Sequence, residues 1–415
     1  MDSGITGAPG HNSCLHRFAV LTALATLGLV GIGGLVTSHG AGMAVPDWPN
    51  TYGYNMFFFP LSQWVGGIFY EHTHRLAASA VGLLTVVLAL WLYGRSARRF
   101  MRWTGAAVLI LGAGAAAAVP RRWTDGLVLG LTGLVLAGAS RFWPRCEPSA
   151  KWLRRLGVAA LVAVVLQGVL GGLRVVLFTD ALGIFHATLA QLYFVLVCAI
   201  ALFTSRWWQA PPARVSAALS SRLSTVYILT TLLILAQLTL GATMRHQHAG
   251  LAIPDFPLAY GRLWPATDAG AVTHYNQQRI EVVAANPITA FQIVLQMVHR
   301  LVALAILGAV AYAAWTTRRA LGGKNPPSRL ALVWLGVILA QVGLGAATIW
   351  SNKAADIATA HVLVGAVSLA LGAILSIVAF RELMCASRDT DLSPSSEARG
   401  LFRPEALPFG ASGLQ

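Results

Sequence analysis

The chain has 415 residues, 56% of them hydrophobic and 11% charged, with a net charge of +15. A soluble domain carries about a quarter charged residues, so this composition excludes one and predicts an all-α polytopic membrane protein. The positive charge does not predict a nucleic-acid partner, because the basic residues fall in short loops between apolar runs, where they set orientation. Cys14, Cys146, Cys198 and Cys385 include no CxxC and no close pair, which argues against a thiolate metal site or a disulfide framework.

A span of the bilayer needs roughly 20 apolar residues. In chain order, strong runs occur at Phe18–Val36, His72–Tyr93, Leu156–Leu173, Leu182–Thr204, Val226–Met244, Ile288–Trp315, Leu330–Ile349 and Ile357–Phe380. Two shorter Gly/Ala-rich runs, Trp103–Val119 and Gly126–Ser140, predict an inserted helical hairpin within about 101–148. The first run resembles a signal peptide followed by a passable cleavage site. It is read instead as a span, because it and its sequel recur later in the chain.

Basic clusters follow the second run (Arg95, Arg98, Arg99, Arg102), precede the Leu156 run (Arg141, Arg145, Lys151, Arg154, Arg155), and return at Arg206, Arg214 and Arg222 and at Arg318, Arg319, Lys324 and Arg329. These loops and both termini are expected to be cytoplasmic, in a multi-pass plasma-membrane protein. Residues 38–70, 174–181, 245–287 and 350–356 are then outside. Arg121 and Arg122 fall on the wrong side of this scheme. The segment 382–415 is read as a disordered cytoplasmic tail.

The chain repeats itself. AGMAVPDWPNTYG (Ala41–Gly53) returns as AGLAIPDFPLAYG (Ala249–Gly261), EHTHRLAA as QMVHRLVA (Gln296–Ala303), LQGVLGGLRV (Leu166–Val175) as AQVGLGAATI, and HATLAQLYFVLV (His186–Val197) as HVLVGAVSLALG. The order is the same in both halves, which predicts two pseudo-symmetric parallel four-helix repeats. The N-terminal half is 1–205, the linker 206–222 and the C-terminal half 223–381. His299 and His361 are 62 residues apart and His74 and His186 are 112 apart; without Met101–Pro148 the second spacing falls to 64.

Four histidines recur in both halves: His74, His186, His299 and His361. Each lies near the outer end of a span, where an ionisable residue is functional by default. Two such helices per half could place imidazoles on opposite faces of one haem, each ligating the iron. Any one histidine alone is equally an interhelical hydrogen-bonding group. Glu71, His74 and Arg75 share one face of a helix, while His72 points away. Arg75 and Arg300 follow a ligand candidate and could pair with haem propionates or snorkel to the interface. Glu71 corresponds to Gln296. A carboxylate can exchange protons and an amide cannot, so the first half reads as reactive and the second as an electron-transferring cofactor site; the competing reading makes Glu71 a helix cap. Gln167 and Gln341 recur beside the glycines without an assigned role. His39, His246, His248 and His274 are left unassigned.

On the run Glu71–Arg75, the run Gln167–Gly172, the repeated halves and the four histidines, the chain resembles the heme A synthase family of cytochrome oxidase assembly, over roughly Phe18 to Phe380 without the hairpin. The resemblance implies that His74 and His186 hold haem O as substrate and that His299 and His361 hold haem b. It implies oxidation of the C8 methyl of haem O to a formyl group with water as oxygen source, Glu71 as the essential acid, and as partners a haem O synthase and oxidase assembly proteins. The chain departs from the family in lacking a cysteine pair in residues 38–70 and in carrying the hairpin. Three other readings remain at this point: a diheme electron-transfer cytochrome, a non-catalytic haem-handling assembly factor, and a transporter.

Overall fold

The computed structural model describes residues 12–119, 123–210, 217–279 and 287–392. Arg121, Arg122 and Arg214, and residues 393–415 of the expected tail, lie outside them. The helices are α1 (Ser13–Ser38), α2 (Gly66–Leu92), α3 (Ala97–Ala118), α4 (Trp123–Phe142), α5 (Lys151–Leu177), α6 (Asp180–Phe203), α7 (Arg206–Gln209), α8 (Ala217–His246), α9 (Ala269–Gln277), α10 (Ala290–Leu321), α11 (Pro326–Trp350) and α12 (Ala355–Leu392). Ten of them are long and apolar enough to cross a membrane, including both members of the hairpin. The protein is thus an all-helical, multi-pass membrane protein.

Local sequence explains several helix starts. The Asn12 side chain accepts the Leu15 N–H and caps α1, Thr289 and Gln292 form a capping box on α10, and proline opens α11. Each device satisfies or removes a backbone donor that has no partner within the helix. Helix α12 runs on to Leu392, into the segment expected to be a disordered tail. No glycine or proline interrupts Arg381–Leu392, so nothing local stops the helix before Pro394.

Helices α1, α2, α5 and α6 pack in a ring, and α8, α10, α11 and α12 pack in another; α1 and α6 join the first ring to α8 and α12 of the second. Both rings carry their long loops, residues 39–65 and, among the described residues, 247–279, at the same end, where Arg245 reaches Gly34 and Ser38. A close-packed apolar cluster fills the opposite end of each ring. In the first it is built on Leu88, Leu92, Val197 and Ile200, in the second on Tyr227, Val310, Trp334 and Leu375. Both clusters begin further along the helices than the four recurrent histidines. At the loop end of the second ring, smaller apolar clusters around Ile253, Ile293 and Met297 and around Met244 and Leu295 pack the loop against α8 and α10. Large apolar residues such as Leu24, Leu83, Leu232 and Leu304 face outward, as lipid contact requires.

The hairpin stands beside this bundle. Helices α3 and α4 touch backbone to backbone: a Cβ on Gly112 would strike the Gly130 backbone, and one on Gly133 the Leu109 backbone. Small residues permit such an approach where lipid offers no hydrophobic drive. Its two ends already meet, the Arg95 N–H donating to the Cys146 carbonyl at 2.9 Å.

Candidate functional site

The two PDxP loops are built by the same bonds. The Asp47 carboxylate accepts the N–H groups of Tyr52 and Gly53, both at 2.7 Å, and the Tyr52 hydroxyl donates to the Ala44 carbonyl at 2.6 Å. Asp255 accepts from Tyr260 at 2.7 Å and Gly261 at 2.9 Å, and Tyr260 donates to the Ala252 carbonyl at 2.5 Å. Burial first, and then the neighbouring Tyr275, push the Tyr260 hydroxyl up to about 12, so it remains a donor at neutral pH. Gly53 and Gly261 sit at φ +78° and +74°, a region that glycine enters without a Cβ clash.

Each loop is fastened to the helix that follows it. Glu71, 4% exposed, accepts the Val45 N–H at 2.8 Å and pairs with Arg75 at 2.8 Å. Arg75 donates in addition to the carbonyls of Val45, Asp47 and Asn50 at 2.8, 2.7 and 2.9 Å. In the second loop Gln296 accepts the Ile253 N–H at 2.7 Å, and Arg300 donates to the carbonyls of Asp255 and Leu258 at 2.8 and 2.9 Å. Glu71 does not cap α2, which begins at Gly66 with Val65 in the cap position. His72 is fully buried under the first loop; its Nδ1 is 3.1 Å from the Thr51 hydroxyl and its ring lies among Phe59 and Trp64.

The four recurrent histidines sit in the early turns of α2, α6, α10 and α12, at the loop end. Each ring turns its Cε1 edge to a glycine near the end of the preceding long helix of its ring. A Cβ on Gly33, Gly171, Gly241 or Gly345 would come within 3.1, 3.3, 3.4 or 3.2 Å of His74, His186, His299 or His361 respectively. At Gly33, Gly171 and Gly345 a Cβ would require the imidazole to give way by a few tenths of an ångström. His74 and His186 are within electrostatic reach of each other, as are His299 and His361. All four Nδ1 atoms are buried with no hydrogen-bond partner among the described residues. The rings of His186 and His361 face the backbone of Gln167 and Gln341 without closing a hydrogen bond. Gln167 donates instead to the His186 carbonyl at 3.0 Å, and Gln237 to that of His299 at 2.8 Å. The role of Gln237 was missed from sequence, since no matching glutamine marks it in the first half.

Such a donor set fits haem iron. Half-buried imidazoles from facing helices, each with a buried Nδ1 that no described residue hydrogen-bonds, suit bis-histidine ligation. Among the described residues, no group of three or more His, Cys, Asp or Glu is placed to hold a bare metal ion. Three of the other histidines have contacts elsewhere. His39 stacks on Tyr70 at 4.1 Å and its Nδ1 lies 2.9 Å from the Leu35 carbonyl; His274 contacts Gln278 at 2.9 Å; His246 lies with Arg174 against Gly183, one turn from His186.

The family model COX15-CtaA, described as cytochrome oxidase assembly protein, matches residues 121–373. No curated protein matches the chain.

Proposed function

Because this chain belongs to the COX15-CtaA family of cytochrome oxidase assembly proteins, the heme A synthase family, we propose that it converts the C8 methyl of haem O to a formyl group, with oxygen from water. The observation that carries the reading is that His74 with His186, and His299 with His361, are half-buried imidazoles at the loop end whose Nδ1 atoms are buried without a hydrogen-bond partner among the described residues.

The rings α1–α2–α5–α6 and α8–α10–α11–α12 are two parallel repeats in this proposal, with the loop end outside the plasma membrane and both termini in the cytoplasm. His74 and His186 hold the substrate, haem O, while His299 and His361 hold haem b. Haem b, when bound, would supply a reversible one-electron centre, and the four electrons lost as the methyl group and water become a formyl group leave to an external electron acceptor. The loops fixed by Arg75 and Arg300 cover the outer edge of each site, so these arginines act on the ligand through the loops they hold. Glu71 stands one helical turn from His74 and handles protons released as the methyl carbon is oxidised. Gln296 makes the equivalent loop bond with an amide, so fastening the loop does not require a carboxylate, and the acid at position 71 is available for proton exchange. A haem O synthase and oxidase assembly proteins are the expected partners.

The direct test is to coexpress the chain with a haem O synthase and identify the extracted haem by mass. Formylated haem is the expected product. Unchanged haem O from a chain that carries two low-spin haems would support the diheme electron-transfer reading instead.

A further inference from the structure

Arg245, in the last turn of α8, and Lys353, in the turn between α11 and α12, are two cations at the loop end of the second ring with no carboxylate within ion-pair distance among the described residues. Arg245 crosses from the second ring to the first. Its guanidinium donates to the Gly34 carbonyl at 2.8 Å and to the Ser38 hydroxyl, while its Nε is buried without a hydrogen-bond partner. Lys353 is half-buried at φ +64°. Burial, and then the charge of Arg245, hold its ammonium below the usual lysine range. The nearest acid in sequence, Asp356, is exposed and accepts the N–H of Ile357 at 2.9 Å.

Cations withdrawn from water within electrostatic reach of each other are costly unless an anion joins them. The place of the pair indicates which anion. Arg245 is within electrostatic reach of His361. Ser38, which it holds, lies 3.5 Å from the hydroxyl of Thr359, two residues before His361. Gly34, which it also holds, follows Gly33, against which His74 packs. The cations therefore lie at the loop end on the seam between the two histidine pairs. Arg300, the other arginine of the second site, donates from both terminal nitrogens to loop carbonyls, and its Nε, like that of Arg245, is buried without a hydrogen-bond partner.

We propose that Arg245 and Lys353 together bind a carboxylate of the ligand held by His299 and His361, which is a propionate of haem b. The inference rests on the haem reading above and goes beyond it in naming the groups that take the acid side chain. It makes the orphaned Nε of Arg245 a charge-assisted donor and relieves the repulsion between the two cations. It also ties α1 of the first ring to the ligand of the second, so occupancy of one site would stiffen the seam beside the other.

The test uses the full chain carrying His74→Ala and His186→Ala, so that only the second pair takes a haem, and compares protohaem with its dimethyl ester, which lacks the carboxylates. Protohaem is expected to bind roughly tenfold or more tightly than the ester, the scale of one lost charge-assisted contact. Adding Arg245→Gln and Lys353→Gln is expected to bring the two ligands to near-equal affinity and to lower the haem midpoint potential, because removing positive charge favours the oxidised iron. Equal affinity in the chain that keeps both cations overturns the proposal, and so does a preference that survives their loss. If the cations instead hold a lipid phosphate, their loss strips co-purifying anionic phospholipid and leaves the preference unchanged, which also overturns it. A variant that does not fold leaves the ester comparison on the unmodified cations to decide. A chain that shows no low-spin absorption with either ligand defeats the haem reading itself, a separate result.

Discussion

Glu71 accepts the backbone N–H of Val45 at 2.8 Å as Gln296 accepts that of Ile253 at 2.7 Å. A carboxylate and an amide thus do one mechanical task in the two halves, and only the first of them can also move a proton.

Two substitutions at position 71 separate these tasks. Glu71→Gln keeps an acceptor for Val45 and is expected to leave folding and both low-spin haem signals intact while haem O conversion falls by about 100-fold or more, the range of lost acid–base catalysis. Glu71→Ala removes the acceptor as well and is expected to lower thermal stability. Normal conversion by Glu71→Gln in a haem-extraction assay would sink the catalytic role.

The histidine pairs make a prediction that absorption spectroscopy checks. His361→Ala or His299→Ala is expected to remove the low-spin signal of the second haem and spare the first. His74→Ala or His186→Ala is expected to do the converse. Loss of both signals from each single substitution would point to one shared site rather than two.

Gly345 lies so close to His361 that an added methyl would stand 3.2 Å from Cε1. Gly345→Ala is therefore expected to shift the ring by a few tenths of an ångström and weaken ligation without unfolding the chain. A changed spectrum with near-wild-type melting is the expected pair of measurements; an unchanged spectrum would mean that the ring adapts.

Arg75 gives four hydrogen bonds, three of them to carbonyls of the first loop and one to Glu71. Arg75→Met leaves those acceptors unpaired and is expected to destabilise the loop by about 3 kcal/mol. Faster proteolysis within residues 39–65 would report it. A loop as resistant as the wild type would show that the carbonyls find other donors.

The hairpin can be removed on this structure, because Arg95 and Cys146 are already hydrogen-bonded and α3 and α4 pack on each other beside the bundle. Deleting residues 97–145 and joining the ends with a short glycine linker is expected to leave both haem signals in place. Loss of haem from a protein that still inserts would give the hairpin a part in the site.

The spans, the hairpin and the four histidines were legible in the sequence because each leaves a local mark. A span is a long apolar run, and a repeated histidine in such a run is costly unless used. Even the loops announced themselves, since Asp47 and Asp255 stand at the same distance from a Tyr-Gly turn. The roles of Arg75 and Arg300 were less legible: their place after a histidine indicates a nearby anion, but only the folded loops show which carbonyls take their donors. Arg245 was invisible for a related reason. In the repeat its counterpart is Thr37, and a lone arginine at the end of a span reads as an interfacial anchor.

What the sequence determined by itself, then, was the membrane, the helices and the residue types that could meet, because hydropathy and helical period act over neighbouring residues. What the tertiary structure alone decided was which groups do meet: each imidazole against one glycine, Glu71 and Gln296 under their loops, and Arg245 against Gly34 and Ser38 across the seam. Those contacts join residues tens to hundreds of positions apart. Helix packing sets them, and no local pattern records it.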